Sequence, residues 1–186
     1  MSREICSYKD RARVVIYTIG HSSVEADEIV ELLRSYGIEA VLDVRSSPYS
    51  RYAPQFNKES LAEALWRGGI EYSYGGNYLG GRPRDPSCYD EEDGHSVRYD
   101  VVEKKDWYLQ GIQGLIQLAE EKLTAVMCAE EDPALCHRQL LIAQTLLDRG
   151  LEVEHVRHKD GQTWTEQARR TLGRDIEQLG FGDEWE

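Results

Sequence analysis

The sequence predicts an α/β protein: one three-layer domain in which a mostly parallel sheet is flanked by helices. Three observations carry this. Short β-branched runs alternate with segments of helical period along most of the chain, the pattern of βαβ units. At 186 residues the chain is long enough for one domain with a full core. Apolar residues make up 40% and charged residues 30%, ordinary for a globular protein, and no apolar run approaches the roughly 20 residues of a membrane helix.

The elements follow in order. Val14–Ile19 (VVIYTI) reads as a buried strand ending at Gly20. Val24–Tyr36 reads as a helix with Ile29, Val30, Leu32 and Leu33 as its apolar side, Ser22 or Ser23 as its cap and Gly37 as its stop. Ala40–Val44 is a second strand, closed by the turn at Pro48. Asn57–Gly68 is a helix with Leu61, Ala64 and Leu65 on one face, and Ile70–Tyr74 is a third strand. Gly75–Lys105 is dense in Gly, Pro, Asp and Ser; a stretch this long within one domain predicts a lid or binding loop over about 76–105. Asp106–Lys122 is a helix and Leu123–Cys128 a fourth strand. Pro133–Arg149 is a single helix, with Asp132 as cap and Pro133 in its first position. Leu151–Val156 is a fifth strand. Trp164–Leu172 and Arg174–Leu179 read as short helices, making 159–186 a helical extension of the single domain 1–186. The arrangement is Rossmann-like.

Charge narrows the function. The net charge of −12 argues against a protein that coats DNA by general electrostatics. Arg45–Arg84 runs the other way, with six basic residues against three acidic ones and five of the eleven tyrosines. Such a segment suits an anion with a flat ring, a nucleotide or a single-stranded nucleic acid. The polar Met1–Arg13 is no secretory signal. The four cysteines show no disulfide framework, so a cytosolic location with free thiols is expected.

Ligands of open α/β sheets bind outside the carboxyl ends of the strands. Gly20, His21, Ser22 and Ser23 follow the first predicted strand, and Asp43, Arg45, Ser46 and Ser47 stand at the end of the second. Cys128, Glu130 and Glu131 follow the fourth, and His155 and His158 lie at the fifth. A shared site at that end is the expectation.

Four stretches, YTIGHSS (Tyr17–Ser23), LDVRSSPYSRYAPQFN (Leu42–Asn57), YLGGRP (Tyr78–Pro83) and MCAEEDPALCHR (Met127–Arg138), resemble in that order the DUF488 family, a domain of unknown function. The motifs fall within about 17–158. The resemblance implies an α/β domain with recurrent residues at Gly20, His21, Ser22, Asp43, Arg45, Pro48, Ser50, Gly80, Gly81, Cys128, Glu130, Cys136, His137 and Arg138, and it supplies no reaction.

Four chemistries compete. A strand, a cysteine, a loop and an arginine-bearing helix resemble thiol enzymes of the rhodanese and cysteine-phosphatase kinds. Glu130, Glu131 and Asp132 disfavour a Cys128 thiolate, however, and Arg138 lies too far on. Cys-Ala-Glu resembles cytidine deaminases, but the required Pro-Cys-x-x-Cys is missing. Cys128, Cys136 and His137, with His21 or His155, offer metal-ligand types. Their spacing is unfamiliar, and on one helix Cys136 and His137 would face different ways, so no residue is assigned to a metal.

The preferred reading is an enzyme acting on a phosphate-bearing, nucleotide-like or nucleic-acid-like substrate, a hydrolase or transferase. His21, Asp43, Glu130 and Cys128 are its catalytic candidates. Ser22, Arg45, Ser50, Arg51, Tyr78 and Arg138 are its substrate-binding candidates. The alternatives are a non-catalytic nucleotide or nucleic-acid binding module and a metal- or thiol-based site at Cys128 and Cys136. The partner expected is an anionic small molecule or nucleic acid, with no membrane. The sequence names no cofactor and no oligomeric state.

Overall fold

The structure, a computed structural model, describes residues 14–171. Met1–Arg13, Cys6 and the expected helix at Arg174–Leu179 lie outside the described residues. Six strands form one sheet: β1 (Val15–Gly20), β2 (Ala40–Asp43), β3 (Glu71–Tyr74), β4 (Thr124–Cys128), β5 (Glu152–Lys159) and β6 (Gln162–Gln167). Their order is β3-β2-β4-β1-β5-β6. The first five in that order pair in parallel, and β6 pairs antiparallel with β5. This is the three-layer α/β domain the sequence predicts.

Helices cover both faces because the strands are apolar on both. Val41, Ala125, Met127, Ile19 and Val156 pack under α1 (Ala26–Ser35) and α2 (Lys58–Arg67), which bury Ile29, Val30 and Leu33, and Leu61, Ala64 and Leu65. Leu42, Val126, Ile16 and Val153 face the other way, against Tyr108, Ile112 and Leu115 of a long helix, Asp106–Glu121, and against Leu141, Ile142 and Leu146. Each fully buried Leu or Ile in these layers contributes roughly 1.5–3 kcal/mol by leaving water.

Gly75–Lys105 has more structure than a bare loop. It holds two one-turn helices, α3 (Gly76–Leu79) and α4 (Tyr99–Val102), a 3₁₀ turn at Pro86–Cys88 and an antiparallel bridge between Tyr89 and Val97. The long helix Asp106–Glu121 that follows is α5. Helix α1 begins at Ala26 after Glu25, so neither Ser22 nor Ser23 caps it. Among the described residues, no helix is long and apolar enough to cross a membrane.

Two expectations are overturned. The helix expected at Trp164–Leu172 is instead β6 over Gln162–Gln167. Asp160 and Gly161, with φ of 52° and 74°, form a two-residue turn that lets Lys159 pair with Gln162. Asp-Gly is the favoured hairpin dipeptide because both of its residues accept positive φ. The single helix expected at Pro133–Arg149 is broken. Asp132 accepts a hydrogen bond from the Ala134 N–H over a 3₁₀ turn, Pro133–Leu135. Cys136 is then extended (φ −120°, ψ 144°) before a π-helical stretch, Arg138–Ala143, runs into α6 (Gln144–Asp148).

Candidate metal centre

Successive side chains of a strand point to opposite faces, and this alternation splits the polar residues at the strand ends into two clusters. Asp43 is one residue on from Leu42 and so shares the α1/α2 side with Val41. Cys128 follows Met127 and lies with Val126 on the α5 side.

The first cluster is closed on itself. Asp43 is fully buried and receives Arg45 in a fork, Nε to Oδ1 at 2.9 Å and Nη2 to Oδ2 at 2.7 Å. The Arg45 backbone N–H also donates to Oδ1, and the Tyr72 hydroxyl donates to Oδ2 at 2.9 Å. Burial, then the Asp43 charge, pushes the Tyr72 hydroxyl pKa up. His21 stacks on Phe56 with ring centroids 4.0 Å apart. Its Nδ1 donates to the Ser22 carbonyl oxygen, so Nε2 is the acceptor for Arg45 Nη1 at 3.2 Å. Burial, then the Arg45 charge, lowers the His21 pKa to about 4.

The second cluster gathers around two thiols. Cys128 comes from the end of β4. Cys136 and His137 come from the break before the π-helical stretch, and that break turns both toward Cys128. The sequence argument that they face different ways assumed a regular helix and does not hold. Cys128 Sγ, Cys136 Sγ and one His137 ring nitrogen lie within 4.8 Å of one another, and all three residues are buried. His137 Nδ1 is 3.9 Å from Cys128 Sγ and 3.7 Å from Cys136 Sγ. Glu130 Oε2 lies 2.9 Å from Cys128 Sγ and 3.4 Å from Cys136 Sγ.

Arg138 underpins this cluster with no exposed surface. Its Nε donates to Cys136 Sγ at 3.4 Å, its Nη1 to Thr18 Oγ1 at 3.1 Å, and its Nη2 to the carbonyl oxygens of Glu130 and Glu131. The Thr18 hydroxyl in turn donates to His155 Nδ1 at 2.7 Å, and His155 Nε2 donates to Gln139 Oε1 at 2.8 Å. Gly20 is obligatory beside them: a Cβ there would run into the Glu130 carbonyl and the Arg138 guanidinium. Burial pushes the Cys136 thiol up, but the hydrogen bond from Cys128 and the charges of His137 and Arg138 hold it well below the ordinary thiol range. Cys128, which keeps the proton of that bond and is buried, is pushed well above it.

A tetrahedral zinc-type ion with two sulfurs at roughly 2.3 Å and one nitrogen at roughly 2.0 Å places its ligand atoms roughly 3.5–3.8 Å apart. The observed sulfur–nitrogen separations are close to this. Among the described residues, two buried side-chain polar atoms lack a hydrogen-bond partner, His137 Nε2 and Tyr99 Oη. Tyr99 packs against the core cluster that contains both cysteines. Gly81 lies against His137, where a Cβ would come within 2.7 Å of Nδ1.

The remaining sequence candidates are spread out. Ser22 has a φ of 53° and its N–H donates to the Ala129 carbonyl oxygen, tying the end of β1 to the loop after β4. The Ser50 N–H donates to Asn57 Oδ1, and Ser50 Oγ accepts from the Tyr52 N–H, so Ser50 shapes its own turn. Arg51 lies over the Tyr52 ring at 4.8 Å on the surface, and Tyr78 is exposed on α3. The structure thus joins His21, Asp43 and Arg45, and separately Cys128, Glu130 and Arg138. Thr18 and Tyr99 are not among the sequence candidates, and His155 is one only as a metal-ligand type. A threonine inside a strand and a tyrosine inside the expected loop carry no sequence signal of a site, and His155 stands at the end of the fifth strand with no spacing that ties it to Thr18 or Arg138.

The two neutral histidines make stability fall in mild acid. His155, lowered by burial and then by Arg138, titrates at about 4, as His21 does, against an ordinary value of 6.5. The unfolded chain therefore binds protons first as pH falls below 6.5, and the stability present above that value is lost on the way to 4. Each histidine is expected to cost about 2 kcal/mol between pH 7 and pH 5. His137 is shifted upward, the opposite sign. Urea unfolding of H155Q beside the native protein isolates one contribution, and an unchanged pH slope in the variant would contradict the assignment.

The family model described as Domain of unknown function DUF488 matches residues 25–145. That span holds Asp43, Arg45 and the whole thiol cluster, while His21, Ser22 and His155 fall outside it. No curated protein and no solved structure matches the chain. With most of its length under one family model, the chain belongs to the DUF488 family.

Proposed function

We propose that this protein is a metalloprotein whose working centre is Cys128, Cys136 and His137, a Cys₂His set for a thiophilic divalent ion of the zinc class. The observation that carries it is the convergence of the three ligand atoms within 4.8 Å in a buried cluster. Soft sulfur with imidazole selects such ions over magnesium or calcium. Bound there, the ion supplies Lewis-acid polarisation or an activated water. The protein contributes the fixed geometry, with Arg138 as a buried cation against the thiolate charge.

Acid–base chemistry on a phosphate-bearing substrate has less support. Arg45 and Arg138 are substrate-binding candidates in the sequence, but their N–H groups are bonded to Asp43, His21, Thr18, Cys136 and carbonyl oxygens. Asp43 has both oxygens engaged. The exposed Arg51, Tyr49, Tyr52 and Tyr78 still suit an anionic or nucleic-acid partner at this end of the sheet.

Protein purified without chelator is expected to carry about one zinc-class ion per chain, and C136S and H137A to lose it. Titration with Co²⁺ is expected to raise thiolate-to-metal absorption in the native protein alone. Metal-free protein that gives no such absorption overturns the proposal. A second reading rests on the Arg138 Nε donor to Cys136 Sγ, which suits a metal-free thiolate nucleophile. Iodoacetamide separates the two: added Zn²⁺ protects both thiols under the first reading and neither under the second.

A further inference from the structure

We propose that Glu130 is the exchangeable fourth ligand of this centre, which makes it a site that admits an anionic oxygen donor from solvent rather than a closed structural knot. The inference rests on the metal reading above.

Position comes first. Glu130 Oε2 is 3.4 Å from Cys136 Sγ, close to the sulfur–oxygen separation of roughly 3.5 Å in a tetrahedral site with one carboxylate oxygen, and 2.9 Å from Cys128 Sγ, the reach of a thiol hydrogen bond that a metal ion would replace. The carboxylate therefore stands beside the two thiol corners of the Cys128, Cys136 and His137 set, from where side-chain torsions can bring it to the fourth corner.

Mobility comes second. The Glu130 backbone is pinned: its carbonyl oxygen accepts from Arg138 Nη2, Gly20 packs against it, and the neighbouring Ala129 carbonyl accepts from the Ser22 N–H. The side chain is exposed, unlike Cys128, Cys136 and His137, which are at most 7% exposed. Swinging the carboxylate into water needs only side-chain torsions, while the three buried ligands stay in place.

Charge comes third. Two thiolates, one carboxylate, one guanidinium and a divalent ion sum to zero. With Glu130 turned outward the centre carries one net positive charge in a water-poor setting, where electrostatic attraction is strong. The class of ligand this draws in is an anionic oxygen: hydroxide, a carboxylate or a phosphate oxygen. Structural zinc sites keep all four protein ligands, and catalytic ones keep an open or exchangeable position.

The test uses Co²⁺-loaded full-length protein with acetate as the probe anion. E130A is expected to bind Zn²⁺ roughly 10–100-fold more weakly than the native chain. It is also expected to take up acetate, read from the visible cobalt bands, at least about tenfold more tightly, because no internal carboxylate competes. E130D, one methylene shorter, is expected to fall between the two. Urea unfolding of the three metal-free proteins checks that each is folded, and E130D keeps an acceptor beside the two thiols. Native Zn²⁺ affinity, cobalt spectrum and acetate affinity retained in both variants would overturn the role of Glu130 and leave the metal centre standing. Failure of the native chain itself to take up Co²⁺ would overturn the metal reading and this inference with it.

Discussion

Replacing Asp43 by alanine is expected to remove about 3–5 kcal/mol of folding free energy, the cost of stranding one partner of a buried ion pair. The loss has an identifiable origin. Arg45 is 7% exposed, and its fork, its backbone N–H and the Tyr72 hydroxyl all end on the Asp43 carboxylate. Without that group a guanidinium remains out of water with only His21 Nε2 and whatever solvent enters the cavity. Asp43→Asn is expected to fare little better, since an amide keeps the shape but turns N–H donors toward donors. The double variant D43A/R45A is expected to lose less than the sum of the singles, because removing both partners leaves no unpaired charge. Urea unfolding of the four proteins measures this cycle, and strict additivity would show that the pair is not coupled.

Arg138→Met is expected to cost a similar amount, about 3–5 kcal/mol. Methionine approximates the length of the side chain but donates nothing. The carbonyl oxygens of Glu130 and Glu131 lose the donor that holds the loop after β4, and Thr18 and Cys136 lose theirs. Lysine is expected to rescue little: a single ammonium cannot reach acceptors spread around a planar fork. R138M is also expected to release Glu130 from its place beside the sulfurs, so its Zn²⁺ affinity should fall with its stability. A variant with native melting behaviour would mean that the guanidinium bonds are not supporting the loop.

The fold was largely legible because it is written in periodicity. Short apolar runs at Val15–Gly20, Ala40–Asp43 and Thr124–Cys128 mark buried parallel strands, and the apolar spacing in α1, α2 and α5 marks which faces turn inward. The hairpin at Asp160-Gly161 was legible too, since the turn dipeptide stands in the sequence. It was missed because the tail was read by helical spacing alone. The candidate site was half legible. Its end of the sheet followed from the rule for parallel sheets. Its division did not, because side-chain parity sends Asp43 to one face and Cys128 to the other, and the residues were grouped by end without regard to face. The pairing of Cys136 with His137 depends on an extended residue between a 3₁₀ turn and a π-helical stretch. Asp132-Pro133 announces a helix start but not that the first turn stops after three residues, so the spacing could not be judged against familiar metal motifs.

The strand order β3-β2-β4-β1-β5-β6 also fixes when the thiol cluster can come into being as the chain folds. Among the described strands, β5–β6 alone is a tight hairpin; β1 must find β4 and β5 across long stretches of intervening chain. The hydrogen bonds that hold Arg138 and His155 to Thr18 close loops of 120 and 137 residues. Contacts of such long range form late and slowly, because the entropy of closing the loop is spent before they return anything. Ribosomal synthesis delivers Thr18 long before Cys128, Cys136, His137 and His155, so the nascent chain carries its thiols unassembled until the central strands have met. Under the metal proposal a thiophilic ion would report completed topology, and its uptake during refolding should track the slowest phase rather than the formation of helices.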